Sequence, residues 1–211
     1  IRLGQVVSRI SMTSQGVTVE ADGKVFQADH CIITLPIGVL KAGDVRIEPR
    51  LPARQVAAIK SIGAGVANKI ALKFDETFWD EDEFIYHAQG DNRFPMFMNT
   101  EAYQPGSKIL LNFMLGKFAV TSEAMGDKQL QLLLEQRLQT ICPSKYRRAQ
   151  QALITRWGSD PFARCSYSYA TPTTSIADFK AFERPVGKAL FFAGEHTAFD
   201  HRSSLHGAYI S

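Results

Sequence analysis

The segment that most constrains this chain is Leu190-Phe-Phe-Ala-Gly-Glu-His-Thr197, followed by Ser203-Ser-Leu-His-Gly-Ala-Tyr-Ile-Ser211. It reads as a buried strand, a tight glycine turn carrying one carboxylate, a polar loop and the first turns of a helix. A helix N-terminus offers free backbone N–H groups and partial positive charge, which suits a phosphate or an electron-rich ring edge. Ser211 falls inside that helix and Ile1 is not an initiator methionine, so an incomplete chain is expected. No leader can be read at the start, and the compartment is unreadable.

With 211 residues and 45% hydrophobic content, the chain can bury a sizeable core, in one large domain or parts of two. A net charge of +3 is too weak to imply nucleic acid or an anionic membrane as partner. No apolar run is long enough to span a bilayer. Cys31, Cys142 and Cys165 lie far apart without a CxxC pair, which fits reduced thiols better than a disulfide framework or a zinc site.

Strand-like stretches open the chain at Gln5–Ser11, Val17–Ala21 and Val25–Asp29, with Asp22-Gly23 as a hairpin turn. Cys31–Leu35 reads as a strand buried on both faces and ended by Pro36. Leu51–Ile62 reads as a helix, with Pro52 in its first turn and Gly63 as its stop. Asn68–Phe74 alternates, Ile70, Leu72 and Phe74 on one face and Lys69, Ala71 and Lys73 on the other. Further strands are expected at Phe84–His87, Phe94–Asn99, Lys108–Leu115, Leu153–Trp157 and Ala189–Ala193. Asp127–Ile141 is an amphipathic helix with Leu130, Leu133, Leu134, Leu138 and Ile141 inward. This order predicts an α+β fold rather than a strictly alternating parallel sheet.

Gly63-Ala-Gly-Val-Ala-Asn68 imitates a dinucleotide fingerprint, but it lacks the third glycine and leads into a strand. A helix stop and turn explains it better. His196, His201 and His206 are close in sequence, yet a spacing of five matches no helical metal pair, and no metal is expected. Asp80–Glu83 reads as a solvated loop. No nucleophile arrangement is marked by a local motif, and Cys165 does not make one. Lys69, Trp157, Tyr167 and Tyr169 carry no chemistry by periodicity alone.

Taken together, four blocks resemble the C-terminal half of the flavin-dependent (FAD) amine oxidases, a family that includes monoamine oxidases, polyamine oxidases and amine-oxidase-type histone lysine demethylases. They are Ala28–Lys41; Leu51–Gly63 with Asn68–Phe74 and Phe78-Trp79; Arg156–Tyr169; and Leu190–Thr197 with His206–Tyr209. The resemblance implies a mixed-sheet substrate domain plus returning strands and the C-terminal helix start of a Rossmann-like FAD domain. Residues 1–50 would return to the FAD-binding domain, 51–185 would form the substrate-binding domain, and 186–211 would be a truncated FAD-binding segment. The N-terminal nucleotide-binding half is expected to be missing.

The resemblance also implies roles. Lys69 matches the catalytic lysine that holds a water near flavin N5. Trp157 and Tyr167 match aromatics near substrate, Trp157 also touching the cofactor. Val7, Pro36, Glu195, Ser204 and Leu205 match cofactor contacts. Small-molecule amine and O2 are the implied reactants, a hydride passing to flavin N5 and H2O2 forming on reoxidation. Ser204 stands where several relatives carry a second aromatic, which argues against a simple monoamine oxidase and towards the polyamine-oxidase or lysine-demethylase pattern, with a polyamine-like amine as the first expectation. An L-amino-acid oxidase, or a non-catalytic binding or dimerisation module, stays open as the alternative.

Overall fold

The opening hairpin follows from one tight turn: Asp22 and Gly23 have φ of 45° and 73°, the left-handed pair that a two-residue hairpin requires. It joins β2 (Gly16–Ala21) to β3 (Lys24–Ala28), and β1 (Val7–Thr13) pairs antiparallel with β2. The computed structural model describes residues 1–87 and 93–211. It divides into two compact units, Ile1–Gly65 with Asp160–Ser211, and Val66–Ser159. The fold is mixed α+β, with both mixed and antiparallel sheets.

In the first unit, β4 (Cys31–Ile33) is followed by α1 (Ile37–Ala42), β5 (Arg46–Glu48), α2 (Ala53–Ser61) and β6 (Gly63–Gly65). The sheet order is β3-β2-β1-β5, with β5 parallel to β1. The expectation that Cys31–Leu35 is buried on both faces is corrected: the strand stops at Ile33, and Ile32 is 64% exposed. One face alone packs, so the apolar run is not a central strand. Helix α1 carries no periodic signature because it is a single short piece. Pro36 precedes it, and Gly43, with φ of 72°, ends it by donating its N–H to the Val39 carbonyl.

The second unit is an antiparallel sheet in the order β11-β7-β10-β9-β8. Its members are β7 (Asn68–Lys73), β8 (Phe84–Tyr86), β9 (Met96–Asn99), β10 (Ile109–Met114) and β11 (Gln151–Ile154). Alternation decides its faces: Asn68, Ile70 and Leu72 are buried, while Lys69 and Lys73 are exposed. Helices α3 (Gly116–Ser122) and α4 (Asp127–Ile141) share the buried core with that apolar face through Ala119, Leu130, Leu134 and Leu138. Helix α4 has the bounds its apolar spacing predicts. Strand β11 ends earlier than expected, at Ile154, because Thr155–Gly158 is committed to the side-chain contacts described below.

The chain then returns to the first unit with β12 (Tyr167–Tyr169), α5 (Ile176–Lys180), β13 (Leu190–Phe192) and α6 (Leu205–Ile210). Strand β13 runs parallel to β4. Strand β12 pairs with β6, Tyr167 opposite Gly65 and Tyr169 opposite Gly63. This corrects the helix-stop-and-turn reading of Gly63–Asn68. A Cβ on Gly63 would lie 2.4 Å from the Tyr169 ring, and one on Gly65 would lie 3.1 Å from the Tyr167 ring. These glycines are strand residues whose missing side chains make room for aromatic rings on the neighbouring strand.

Leu134→Ala, at a fully buried position of α4, is expected to cost about 2–5 kcal/mol in urea unfolding. Leu132→Ala, two residues along and 55% exposed, is expected to cost less than about 0.5 kcal/mol. Equal losses would contradict the assigned face.

Candidate functional site

Lys69 stands on the open face of β7, opposite the packed residues Ile70 and Leu72. Its backbone is held on both sides by Thr155: the Lys69 N–H donates to Thr155 Oγ1 at 2.8 Å, and the Thr155 N–H donates to the Lys69 carbonyl at 3.0 Å. The ammonium lies 5.5 Å from the centre of the Phe113 ring on the adjacent strand. An exposed contact of that kind contributes about 0.5–1 kcal/mol, enough to bias the side chain's direction but not to immobilise it.

Beside Lys69, Asn68 is fully buried at the end of an otherwise apolar strand face. Its carbonyl oxygen accepts from the Trp157 N–H at 3.0 Å and from the Thr155 hydroxyl at 3.3 Å. Its amide nitrogen donates to Glu123 Oε1 at 2.7 Å and to the Ala119 carbonyl at 3.3 Å. Glu123 Oε1 also accepts from the Gly158 N–H at 2.8 Å. Lys69 and Trp157 are therefore brought into one hydrogen-bonded assembly, while the Trp157 indole stays 42% exposed.

The other expected residues lie in the other unit. Glu195 follows Gly194, whose φ of 138° admits only a glycine comfortably. Its carboxylate accepts from the Ser168 N–H at 2.9 Å, the Ser168 hydroxyl at 2.7 Å and the Ser203 N–H at 2.7 Å. The Ser203 hydroxyl donates in turn to the Ser168 carbonyl. Glu195 thus ties β12 to the loop that feeds α6. Ser204 is the N-cap of α6, its hydroxyl accepting from the Gly207 N–H at 3.1 Å, and Leu205, the first helical residue, is exposed. A Cβ on Gly207 would sit 1.9 Å from the His201 carbonyl oxygen, so only glycine lets this helix settle on the preceding turn.

Val7 lines a cavity of about 570 Å³ with Leu35, Val39, Val45 and Phe162 among its walls. Pro36 adjoins it in sequence as the residue before α1. Tyr167 lies over Gly65. Asn68, Glu123 and Ser168 are contributors that the sequence reading does not single out. For Asn68 there is a signal: it is the one polar side chain in register with Ile70, Leu72 and Phe74.

Among the described residues, no three His, Cys, Asp or Glu side chains gather as a metal cluster. His201 Nδ1 and His206 Nε2 lie 3.2 Å apart at the surface. The three cysteines are free, and burial pushes each thiol pKa up.

The whole chain, residues 1–211, matches the family of flavin-containing amine oxidoreductases, and the protein belongs to it. It is 38% identical to polyamine oxidase 4 of Oryza sativa subsp. japonica, covering 100% of this chain and 43% of that protein. It is 36% identical to polyamine oxidase 2 of Arabidopsis thaliana, covering 99% and 42%. It is also 34% identical to lysine-specific histone demethylase 1 homolog 2 of Arabidopsis thaliana, covering 99% and 29%. The chain spans less than half the length of these relatives.

His196 is buried edge-on against Phe182, and its Nε2 has no hydrogen-bond partner among the described residues. Burial lowers its pKa from 6.5 to about 4, against a smaller opposing pull from Glu195. As pH falls through that interval the unfolded chain takes up a proton that the folded chain refuses, so stability falls with it. From about pH 7 to about pH 5 the loss from this group is roughly 2 kcal/mol. His196→Leu is expected to remove that part of the acid slope, measured as urea midpoints at the two pH values. An unchanged slope would contradict the assignment.

Proposed function

We propose that this chain supplies the amine-binding sheet and part of the flavin-binding surface of an FAD-dependent amine oxidase that oxidises a C–N bond of a polyamine-like amine. The sequence-based division assigns 1–50 and 186–211 to the flavin side, with β4 and β13 as strands of a Rossmann-like domain, and 51–185 to the substrate side. The rest of the flavin site would come from polypeptide corresponding to the remaining length of the relatives.

The chain's residues suit such a cofactor by their chemistry. The cavity beside Val7 is walled mainly by apolar side chains, with the Asp44–Arg164 ion pair and Gln5 as its polar part, a mixture that suits a planar ring with polar edges. Val7 and Pro36 would then hold the nucleotide side. Glu195, Ser204 and Leu205 would hold the ribityl and ring side, with Trp157 a further contact. A bound flavin would supply the acceptor for a hydride from the carbon beside the amine nitrogen and the electron pair with which O2 forms H2O2. Lys69 would hold a water by its ammonium and present positive charge where oxygen is reduced. Trp157 and Tyr167 would offer aromatic faces to the amine, an attraction of about 0.5–2 kcal/mol.

The observation that carries this reading is the placement of Lys69: a lysine on the open face of a packed strand, its backbone fixed on both sides, its ammonium without a carboxylate ion pair among the described residues. The amino-acid alternative gains nothing from the arginines of the 156–169 block. Arg156 is bound to Asp127 and Arg164 to Asp44, so neither is left for a substrate carboxylate.

In the flavin-loaded enzyme, Lys69→Met is expected to slow reoxidation by O2 by roughly tenfold or more while FAD retention stays near that of the parent. Stopped-flow mixing of the reduced enzyme with oxygen measures the first, and the flavin-to-protein absorbance ratio the second. Equal reoxidation rates would overturn the role of Lys69.

A further inference from the structure

We propose that Asn68 and Glu123 are a positioning pair that sets the Trp157 indole relative to Lys69 before the amine arrives; this rests on the reading of Trp157 as a substrate aromatic. The two peptide N–H groups on either side of the Trp157 α-carbon are both captured. The Trp157 N–H goes to Asn68 Oδ1 and the Gly158 N–H goes to Glu123 Oε1. The preceding side chain is fastened as well: the Arg156 guanidinium donates to the Met125 carbonyl at 2.8 Å and to Asp127 Oδ1 at 2.6 Å. Every anchor acts on the main chain or on a neighbour, and the indole itself is left 42% exposed. The backbone is fixed while the indole face stays open, the arrangement that a preorganised ligand-facing aromatic requires.

The anchors also reach Lys69. Its N–H donates to Thr155 Oγ1, the Thr155 hydroxyl donates to Asn68 Oδ1, and the same oxygen accepts from Trp157. Asn68 cannot relax by turning its amide over, because its NH2 would then face two donors while its oxygen faced Glu123 and the Ala119 carbonyl. Glu123 locks the orientation from one side and Trp157 from the other. Gly158 completes the fit: a Cβ there would meet the Glu123 carboxylate oxygens at 2.9 and 3.0 Å.

The test uses the flavin-loaded enzyme carrying 5-fluorotryptophan. The Trp157 and Trp79 resonances are each assigned by their loss in Trp157→Phe and Trp79→Phe, and Trp79, buried with its indole N–H on Asn99, serves as an internal reference. Glu123→Ala is expected to shift the Trp157 resonance, leave that of Trp79 in place, and lower kcat/KM for a polyamine about tenfold, chiefly through KM. Glu123→Gln keeps an oxygen for the Asn68 amide and the Gly158 N–H and is expected to restore both readouts. Gly158→Ala, a milder change should Glu123→Ala not fold, is expected to act in the same direction. An unmoved Trp157 resonance in a folded variant would overturn the positioning pair whatever the activity. A shifted resonance with unchanged KM would instead overturn the role of Trp157 in amine binding, and with it the inference built on that role.

Discussion

In the Val66–Ser159 unit one buried amide, that of Asn68, joins the most segments around Lys69 and Trp157. Asn68 occupies an inward position on a strand whose other inward residues are apolar, and leaving such a group unsatisfied costs about 1–3 kcal/mol for each missing partner. All four of its bonding directions are met, by Ala119, Glu123, Thr155 and Trp157. Meeting them requires the end of α3, the strand of Lys69 and the loop after β11 to adopt a single mutual arrangement. The polar group therefore specifies geometry that apolar packing alone would leave adjustable.

A carboxylate has the comparable task in the other unit. Glu195 collects three protein donors from Ser168 and Ser203 and so fixes β12 against the loop entering α6. Gly194 and Gly207 make that arrangement sterically available, one through its φ and the other through close approach to the His201 carbonyl. A residue bound in this way can still face a cofactor, but its first effect is on the direction of its own neighbours. That is a reason to treat Glu195 as an organiser of the surface that carries Ser204 and Leu205.

Several features are legible in the sequence because they are local and periodic. Ile70, Leu72 and Phe74 alternate against Lys69 and Lys73, and the leucines of Asp127–Ile141 recur at helical spacing, so face and element follow from sequence. Helix α1 is too short to be periodic. Strand β6 is glycine-rich, and its strand character depends on tyrosines about a hundred residues away that occupy the space above it. Ile32 looks like core, but its strand has neighbours on one face only. Glu123 and Ser168 are single polar residues with no local mark; their contacts join segments distant in sequence, and only the folded chain brings those segments together.

The proposal that joins these features is that Lys69, Trp157 and the Glu195 segment would serve amine oxidation by a bound flavin. The most direct measurement is anaerobic mixing of the flavin-loaded enzyme, at the length of its polyamine-oxidase relatives, with a panel of polyamines, amino acids and N-methylated lysine peptides, following the visible flavin absorbance. The account predicts bleaching by a polyamine and no bleaching by free amino acids. Stable retention of FAD with no bleaching by any amine would contradict it.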